Sequence, residues 1–159
     1  MSNITPCLWF DGNAEEAANF YVTLFSDASI VTVSRYAEDS HFPAGTAIMV
    51  EFILFGQRYQ ALNGPNVRFN EAVSLSLSCA DQGEGDRYWD ALTADGGKPG
   101  PCGWLTDKCG GSWEIVPQKM VEGLSGPDKA GTARAMAAMM KMSKLELATL
   151  EAAYAGEAA

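Results

Sequence analysis

Few side chains in this sequence have the chemistry to do more than pack. Glu114 stands inside an apolar run, Ser112-Trp113-Glu114-Ile115-Val116-Pro117, and Gln60 holds the matching place at the end of Phe55-Gly56-Gln57-Arg58-Tyr59-Gln60. Cys109 to Glu114 repeats Phe55 to Gln60 at an offset of 54. A carboxylate among aromatic residues suits proton transfer. It would serve equally as a partner for Arg58, Arg68 or a backbone donor, and both readings stay open. Thiols are the other reactive groups: Cys7, Cys79, Cys102 and Cys109, with no Cys-x-x-Cys pair among them. Cys7 and Cys79 sit in apolar strand patterns and are expected as small buried hydrophobes. Cys102 and Cys109 flank a turn, where a zinc ion would need two more ligands. The single histidine, His41, lies apart in a polar loop, so no structural zinc site is expected.

The elements that must position these residues come from an internal repeat. Asn13 followed by Glu16 reads as a helix start. Ala17, Phe20, Tyr21 and Leu24 then share one helical face. Asp81 and Glu84 open a second helix, with Tyr88, Trp89 and Leu92 on its face, each matched pair 68 residues apart. An apolar strand precedes each helix, Ile4 to Phe10 and Ala72 to Cys79. In the second, Val73, Leu75 and Leu77 alternate with Ser74, Ser76 and Ser78, giving one apolar and one small polar face. Further strands follow: Ile30 to Tyr36, then a hairpin of Ala47 to Phe55 and Arg58 to Asn63 around Gly56-Gln57. In the second half the hairpin is Gly103 to Thr106 with Ser112 to Val116, and the strand before it is obscured by Gly96-Gly97 and Pro99 to Pro101. The order is β-α-β-β-β twice, an α+β fold of two βαβββ modules forming a cupped mixed sheet with a C-terminal helical extension. The expected boundaries are 1–66, 67–118 and 119–159, in one compact domain overall. Two helices are expected in the extension. Pro127-Asp128 opens one, with Met136, Met139 and Met140 on its apolar side. Ser143 to Glu146, read as a capping box, opens the other, with Leu147, Leu150 and Tyr154 on its face. The methionine stripe reads as packing, a dimer contact or a lid.

The 159 residues carry a net charge of −9 and no cluster of Lys and Arg, so nucleic acid is not an expected partner. No stretch is long and apolar enough to span a membrane, and no signal peptide is evident. A cytoplasmic protein without disulfides is expected.

The order of motifs resembles the vicinal oxygen chelate superfamily of glyoxalase I, extradiol dioxygenases and bleomycin-resistance proteins. It resembles most its PhnB-like branch, labelled 3-demethylubiquinone-9 3-methyltransferase-like. The residues that carry the likeness are Ile4 to Ala17, Phe20-Tyr21, Ala61-Leu62-Asn63-Gly64-Pro65, Phe69-Asn70-Glu71-Ala72, Asp86 to Leu92, Cys102 to Leu105 and Ser112 to Pro117. In metal-dependent members, inward side chains of the first and fourth strands of each module hold the ion. By resemblance those positions are Thr5, Gln60, Ser74 and Glu114, a set with one strong ligand where a catalytic metal wants three.

The resemblance implies a small-molecule-binding protein with no resident cofactor. Its ligand pocket is expected to be lined by Thr5, Cys7, Trp9, Gln60, Ser74, Ser76, Trp104 and Glu114, with Glu114 as the catalytic candidate. Aromatic walls with a few placed polar groups are usual in such pockets; plain core packing is the other reading of Trp9 and Trp104. The alternative is a metal-dependent lyase, isomerase or dioxygenase acting on adjacent oxygens, with a divalent metal held by Gln60 and Glu114 with Cys7. The methyltransferase of the branch label lacks a Gly-rich nucleotide loop here, since Phe10-Asp11-Gly12-Asn13 leads straight into a helix. The connecting loop Asn66 to Asn70 reads as a solvated linker or as a pocket lip offering Arg68. A homodimer is expected, as relatives of this fold complete their cups across two chains.

Overall fold

The computed structural model describes residues 3–40 and 42–157; His41 lies outside them. The chain is α+β and forms two compact units, residues 1–69 and 70–159. The first is one βαβββ module: β1 (Cys7–Phe10), α1 (Ala14–Leu24), β2 (Ala28–Arg35), β3 (Ala47–Leu54) and β4 (Gln57–Asn63). Its four strands lie in the order β1-β4-β3-β2, with β1 parallel to β4 and the other pairs antiparallel. The second unit repeats this plan with β5 (Leu75–Cys79), α2 (Gln82–Thr93), β6 (Lys98–Pro99), β7 (Trp104–Thr106) and β8 (Ser112–Pro117), ordered β5-β8-β7-β6 with β5 parallel to β8. It continues into the extension, α3 (Gln118–Leu124), α4 (Lys129–Met139) and α5 (Leu147–Ala155).

The repeat is physical. Ala17 and Tyr21 of α1 are buried, and so are their counterparts Gly85 and Trp89 of α2. In the first module α1 packs on one face of the sheet. There Tyr21, Phe10, Val50, Phe52 and Ala61 form the core. Period-two alternation then turns Met49, Glu51 and Ile53 of β3 to the opposite face.

Several local expectations shift. The first strand begins at Cys7, not Ile4: Pro6 has no N–H to pair, and Ile4 is 96% exposed. The fifth begins at Leu75, leaving Val73 72% exposed. Cys7, expected inside, is exposed, whereas Cys79 is fully buried. The first hairpin turns one residue earlier, at Phe55-Gly56, both with positive φ as a two-residue type I′ turn requires. The conformation disfavours Phe55, whose ring is held by Phe25 at a centroid distance of 5.0 Å. Asn13 flanks α1 without a side-chain cap. The end of β4 does the work instead: Asn63, 3% exposed, accepts from the Ala14 N–H at 2.9 Å and donates to the Ala47 carbonyl at 2.8 Å. Asp81 caps α2 as expected, accepting from the Glu84 N–H at 2.9 Å, while Glu84 accepts from the Ala80 N–H at 2.7 Å. The second hairpin is closed by Asp107, which sequence reading passed over. Buried, it accepts from the N–H groups of Cys109 and Gly111 and from Nε1 of Trp113, at 2.8, 2.9 and 2.6 Å.

The extension has three helices, not two, because α3 follows β8 without a break. Ser143 does not cap α5; its hydroxyl donates to the Gly100 carbonyl at 2.6 Å. The cap is replaced by Gln82 of α2, whose amide donates to the Leu145 carbonyl and accepts from the Leu147 N–H. Lys144 adds an ion pair to Asp86 at 2.8 Å, which holds that carboxyl below its ordinary range.

Asn63→Ala is expected to cost roughly 2–5 kcal/mol, since it leaves a buried N–H and a buried carbonyl without partners; urea unfolding reads it, and a loss under 1 kcal/mol would sink this account of the β4 end. Burial, with smaller contributions from Glu84 and Asp81 against Arg87, pushes the Cys79 thiol from 9.0 up to about 11. The folded value lies above the unfolded one, so its stabilisation is complete below the unfolded pKa and drains away as pH rises towards the folded one. The urea midpoint should therefore fall more steeply between about pH 8 and about pH 10.5 for wild type than for Cys79→Ala, and parallel slopes would remove Cys79 from the account.

Candidate functional site

Strand pairing fixes which side chains meet on the sheet face opposite α1. Gln60, on the inner strand β4, stands beside Cys7 of β1 on one side and Glu51 of β3 on the other; Thr32 of β2 continues the row. Two residues along, Trp9 pairs with Leu62, and Leu62 with Met49. The first module thus carries a polar row with an apolar row next to it.

At the polar row lies a hollow of about 270 Å³, lined by Asn3, Thr5, Glu51, Arg58, Tyr59 and Gln60. Thr5 and Gln60, expected together, are together. Glu51, which sequence reading missed, is the carboxylate of this hollow. Its only signal was parity: a lone charge at every second position of Met49, Glu51 and Ile53 marks the face that leaves the core. Glu51 Oε1 accepts from the Gln60 amide at 3.4 Å, and Oε2 lies 3.5 Å from Nη1 of Arg58. Both contacts are long for charge-assisted bonds. A loose, partly solvated pair contributes little to stability, so these groups are placed without being saturated.

Cys7 is next to Gln60, and partial desolvation pushes its thiol pKa up. Its thiol is therefore harder to ionise than an ordinary one, which disfavours it as a nucleophile or metal ligand. Trp9 is 49% exposed and lies against Gly64: a Cβ on Gly64 would come 2.1 Å from the indole Nε1. Gly64 is thus the floor on which the indole rests. Arg68, in the connecting loop, is exposed.

The second module repeats the arrangement. Glu114 of the inner strand β8 stands between Ser76 of β5 and Trp104 of β7. All three share one row, with Glu114 and Trp104 half-buried and Ser76 exposed. Ser74 lies ahead of β5, as Thr5 lies ahead of β1. A second hollow, of about 190 Å³, lies among the helices of the extension, lined mostly by apolar groups of Met120, Ala135, Leu147, Leu150 and Tyr154. Its polar groups are those of Lys119, Glu151 and Tyr154.

Among the described residues, no three His, Cys, Asp or Glu side chains converge. Each row offers one carboxylate among amide, hydroxyl and neutral thiol donors, which does not fit a catalytic transition-metal centre.

A family model described as 3-demethylubiquinone-9 3-methyltransferase matches residues 2–116. Among solved structures, a PhnB protein of Bacillus cereus carrying the same family description is 36% identical, with a TM-score of 0.65 over 73% of this chain and 99% of that one. A protein of Pseudomonas aeruginosa is 22% identical, with a TM-score of 0.61 over 74% and 98% of the two chains. The fosfomycin resistance protein FosX of Listeria monocytogenes, solved with Mn(II) and a dihydroxypropylphosphonic acid, shares the fold at 13% identity, TM-score 0.52, over 77% and 98%. No match was found among curated protein sequences. The family match ends at Val116 in the last strand, so α3, α4 and α5 lie outside it.

Proposed function

Because this chain belongs to the 3-demethylubiquinone-9 3-methyltransferase family and has the vicinal oxygen chelate fold, we propose that it binds a small polar molecule in the hollow of its first module. The observation that carries this reading is the Thr5, Glu51, Arg58 and Gln60 hollow, whose carboxylate and guanidinium touch each other only at the limit of a hydrogen bond. A ligand bearing both a cationic and an anionic group would exchange those long contacts for short ones. Glu51 would take its ammonium or amide N–H, Arg58 its carboxylate or phosphonate, and Gln60 and Thr5 would set its orientation. At about 270 Å³ the hollow suits a metabolite smaller than a drug. Trp9, resting on Gly64, adds apolar surface next to the polar row and outside the lining of the hollow. Glu114, with Ser76 and Trp104, is the equivalent polar position of the second module and the group we assign to proton transfer in a molecule bound by that module.

Methyl transfer, as named in the family description, gains no support from these residues. Each sheet has a single parallel pair, and β1 meets α1 through Asp11, Gly12 and Asn13 without a Gly-rich cradle for a nucleotide. The Mn(II) of the Listeria protein belongs to that protein; the donors here do not fit it, and no step is drawn through a metal.

Calorimetry against small amino acids, aminophosphonates and hydroxy acids should find zwitterions bound and their uncharged esters or amides not. Glu51→Gln should weaken binding by on the order of tenfold or more, and Arg58→Gln likewise. Zwitterion binding unchanged in the Glu51→Gln, Arg58→Gln double variant, or tight stoichiometric uptake of Mn(II), Ni(II) or Zn(II) by wild type, would overturn the reading. We also propose that the chain is a cytoplasmic homodimer. The exposed Ile4 and Val73 supply apolar surface for association, and light scattering should give twice the chain mass, a monomer mass counting against it.

A further inference from the structure

The second module and the extension meet at sulfur. Cys102 lies in the turn before β7, and its Sγ is 3.7 Å from Sδ of Met140, at the end of α4. Met140 is 66% exposed, so this sulfur pair is a surface feature and not part of the core. Met136 precedes Met140 by one helical turn, on the same face of α4, and is 41% exposed. One thiol and one thioether therefore touch, and a second thioether lies one turn away along the same helix face.

We propose that Cys102, Met140 and Met136 form a binding site for a monovalent soft cation, Cu(I) or its analogue Ag(I). Thiolate with thioether is the donor set that selects such an ion, while the absent imidazoles and carboxylates disfavour zinc, iron and manganese. The spacing fits. Two metal–sulfur bonds of roughly 2.3 Å reaching sulfurs 3.7 Å apart enclose about 107°, close to the angle of a tetrahedral site. The position also favours a cation. The Cys102 thiol donates to the Met139 carbonyl at 3.5 Å, at the C-terminus of α4, where the helix dipole places partial negative charge.

The thiol is not free to drift. Cys102 has φ +56° and Gly103 φ +85°, a left-handed pair held by N–H bonds to the carbonyls of Met142 and Ser143 at 2.8 and 2.7 Å. A side chain on Gly103 would strike the Ile115 carbonyl and Leu145, which keeps the turn tight against residues 142–147, the strap that leads into α5. Binding forms a bond from the cation to the Cys102 sulfur, adds thioether coordination, and releases the thiol proton to solvent. No oxidation state changes. The thioether half comes from the segment beyond Val116, outside the family match, so the site belongs to the extended chain and not to the two modules alone.

Anaerobic titration of the whole protein with Cu(I) against a colorimetric Cu(I) chelator should show one equivalent bound. Zn(II) in excess should not displace it. Cys102→Ala should weaken binding on the order of 100-fold, Met140→Leu about tenfold and Met136→Leu several-fold. Cys7→Ala and Cys109→Ala should leave it unchanged. Wild-type affinity in the Cys102→Ala, Met140→Leu double variant, or loss confined to Cys7→Ala or Cys109→Ala, would overturn the site. Spectra of wild type labelled at the methionine methyls avoid any effect of substitution on folding. Ag(I) should shift the Met136 and Met140 resonances, and shifts only at Met49 or Met120 would overturn the site as firmly.

Discussion

A parallel pair of strands cannot be closed by a tight turn, and in each module the first strand runs parallel to the fourth. The chain must therefore leave the first strand, cross by a helix, and return through two antiparallel strands before the fourth can dock beside it. That demand accounts for the βαβββ order, and it makes the fourth strand an inner one, paired on both sides. Its outward residues become the middle of a row. Gln60 has Cys7 and Glu51 for neighbours; Glu114 has Ser76 and Trp104. The polar character of each row is a consequence of pairing, because none of these residues is near its neighbours along the chain except through a hairpin.

The same constraint explains what could be read in advance. Helix faces are local and periodic, so the 68-residue copy of α1 by α2 was legible, as were the hairpins that carry Gln60 and Glu114. Turn chemistry was legible to within one residue, Phe55 taking a place that a glycine would fill more easily. What escaped were side chains whose partners lie across a hairpin or on another element. Asn13 looks like a cap, yet Asn63 supplies the acceptor from β4, 49 residues beyond the Ala14 N–H it receives. Ser143 to Glu146 looks like a capping box, yet Gln82 reaches that segment from α2. Glu51 sits in a strand otherwise apolar, and only the β3–β4 register reveals that it faces Gln60. Asp107 reads as an ordinary turn residue until Trp113 is seen to fold back onto it. At the two helix starts a long-range hydrogen bond replaced the local one that the pattern suggested.

The two modules have also parted in the chemistry of their rows. In the first, a carboxylate, a guanidinium and an amide share a hollow; in the second, a carboxylate stands between a hydroxyl and an indole. A repeated backbone with unlike side chains allows one copy to recognise and the other to differ, and function is carried by such grafted positions more than by the fold. The second module differs further in the helices that follow it. They are fastened by Gln82, by the Lys144 and Asp86 pair, and by the backbone bonds from Cys102 and Gly103.

The fastening by Gln82 bears on how this chain can change in length. One amide takes the carbonyl of Leu145 and the N–H of Leu147, two positions apart. A residue gained or lost between Met142 and Leu147 would put the wrong backbone groups opposite that amide and slip the strap past Cys102 and Gly103. By contrast, the exposed stretch at Ser125 to Asp128 makes no such contact with α2 and joins two helices by a simple bend. Insertions and deletions should accumulate there during divergence, while the spacing of the strap stays constant.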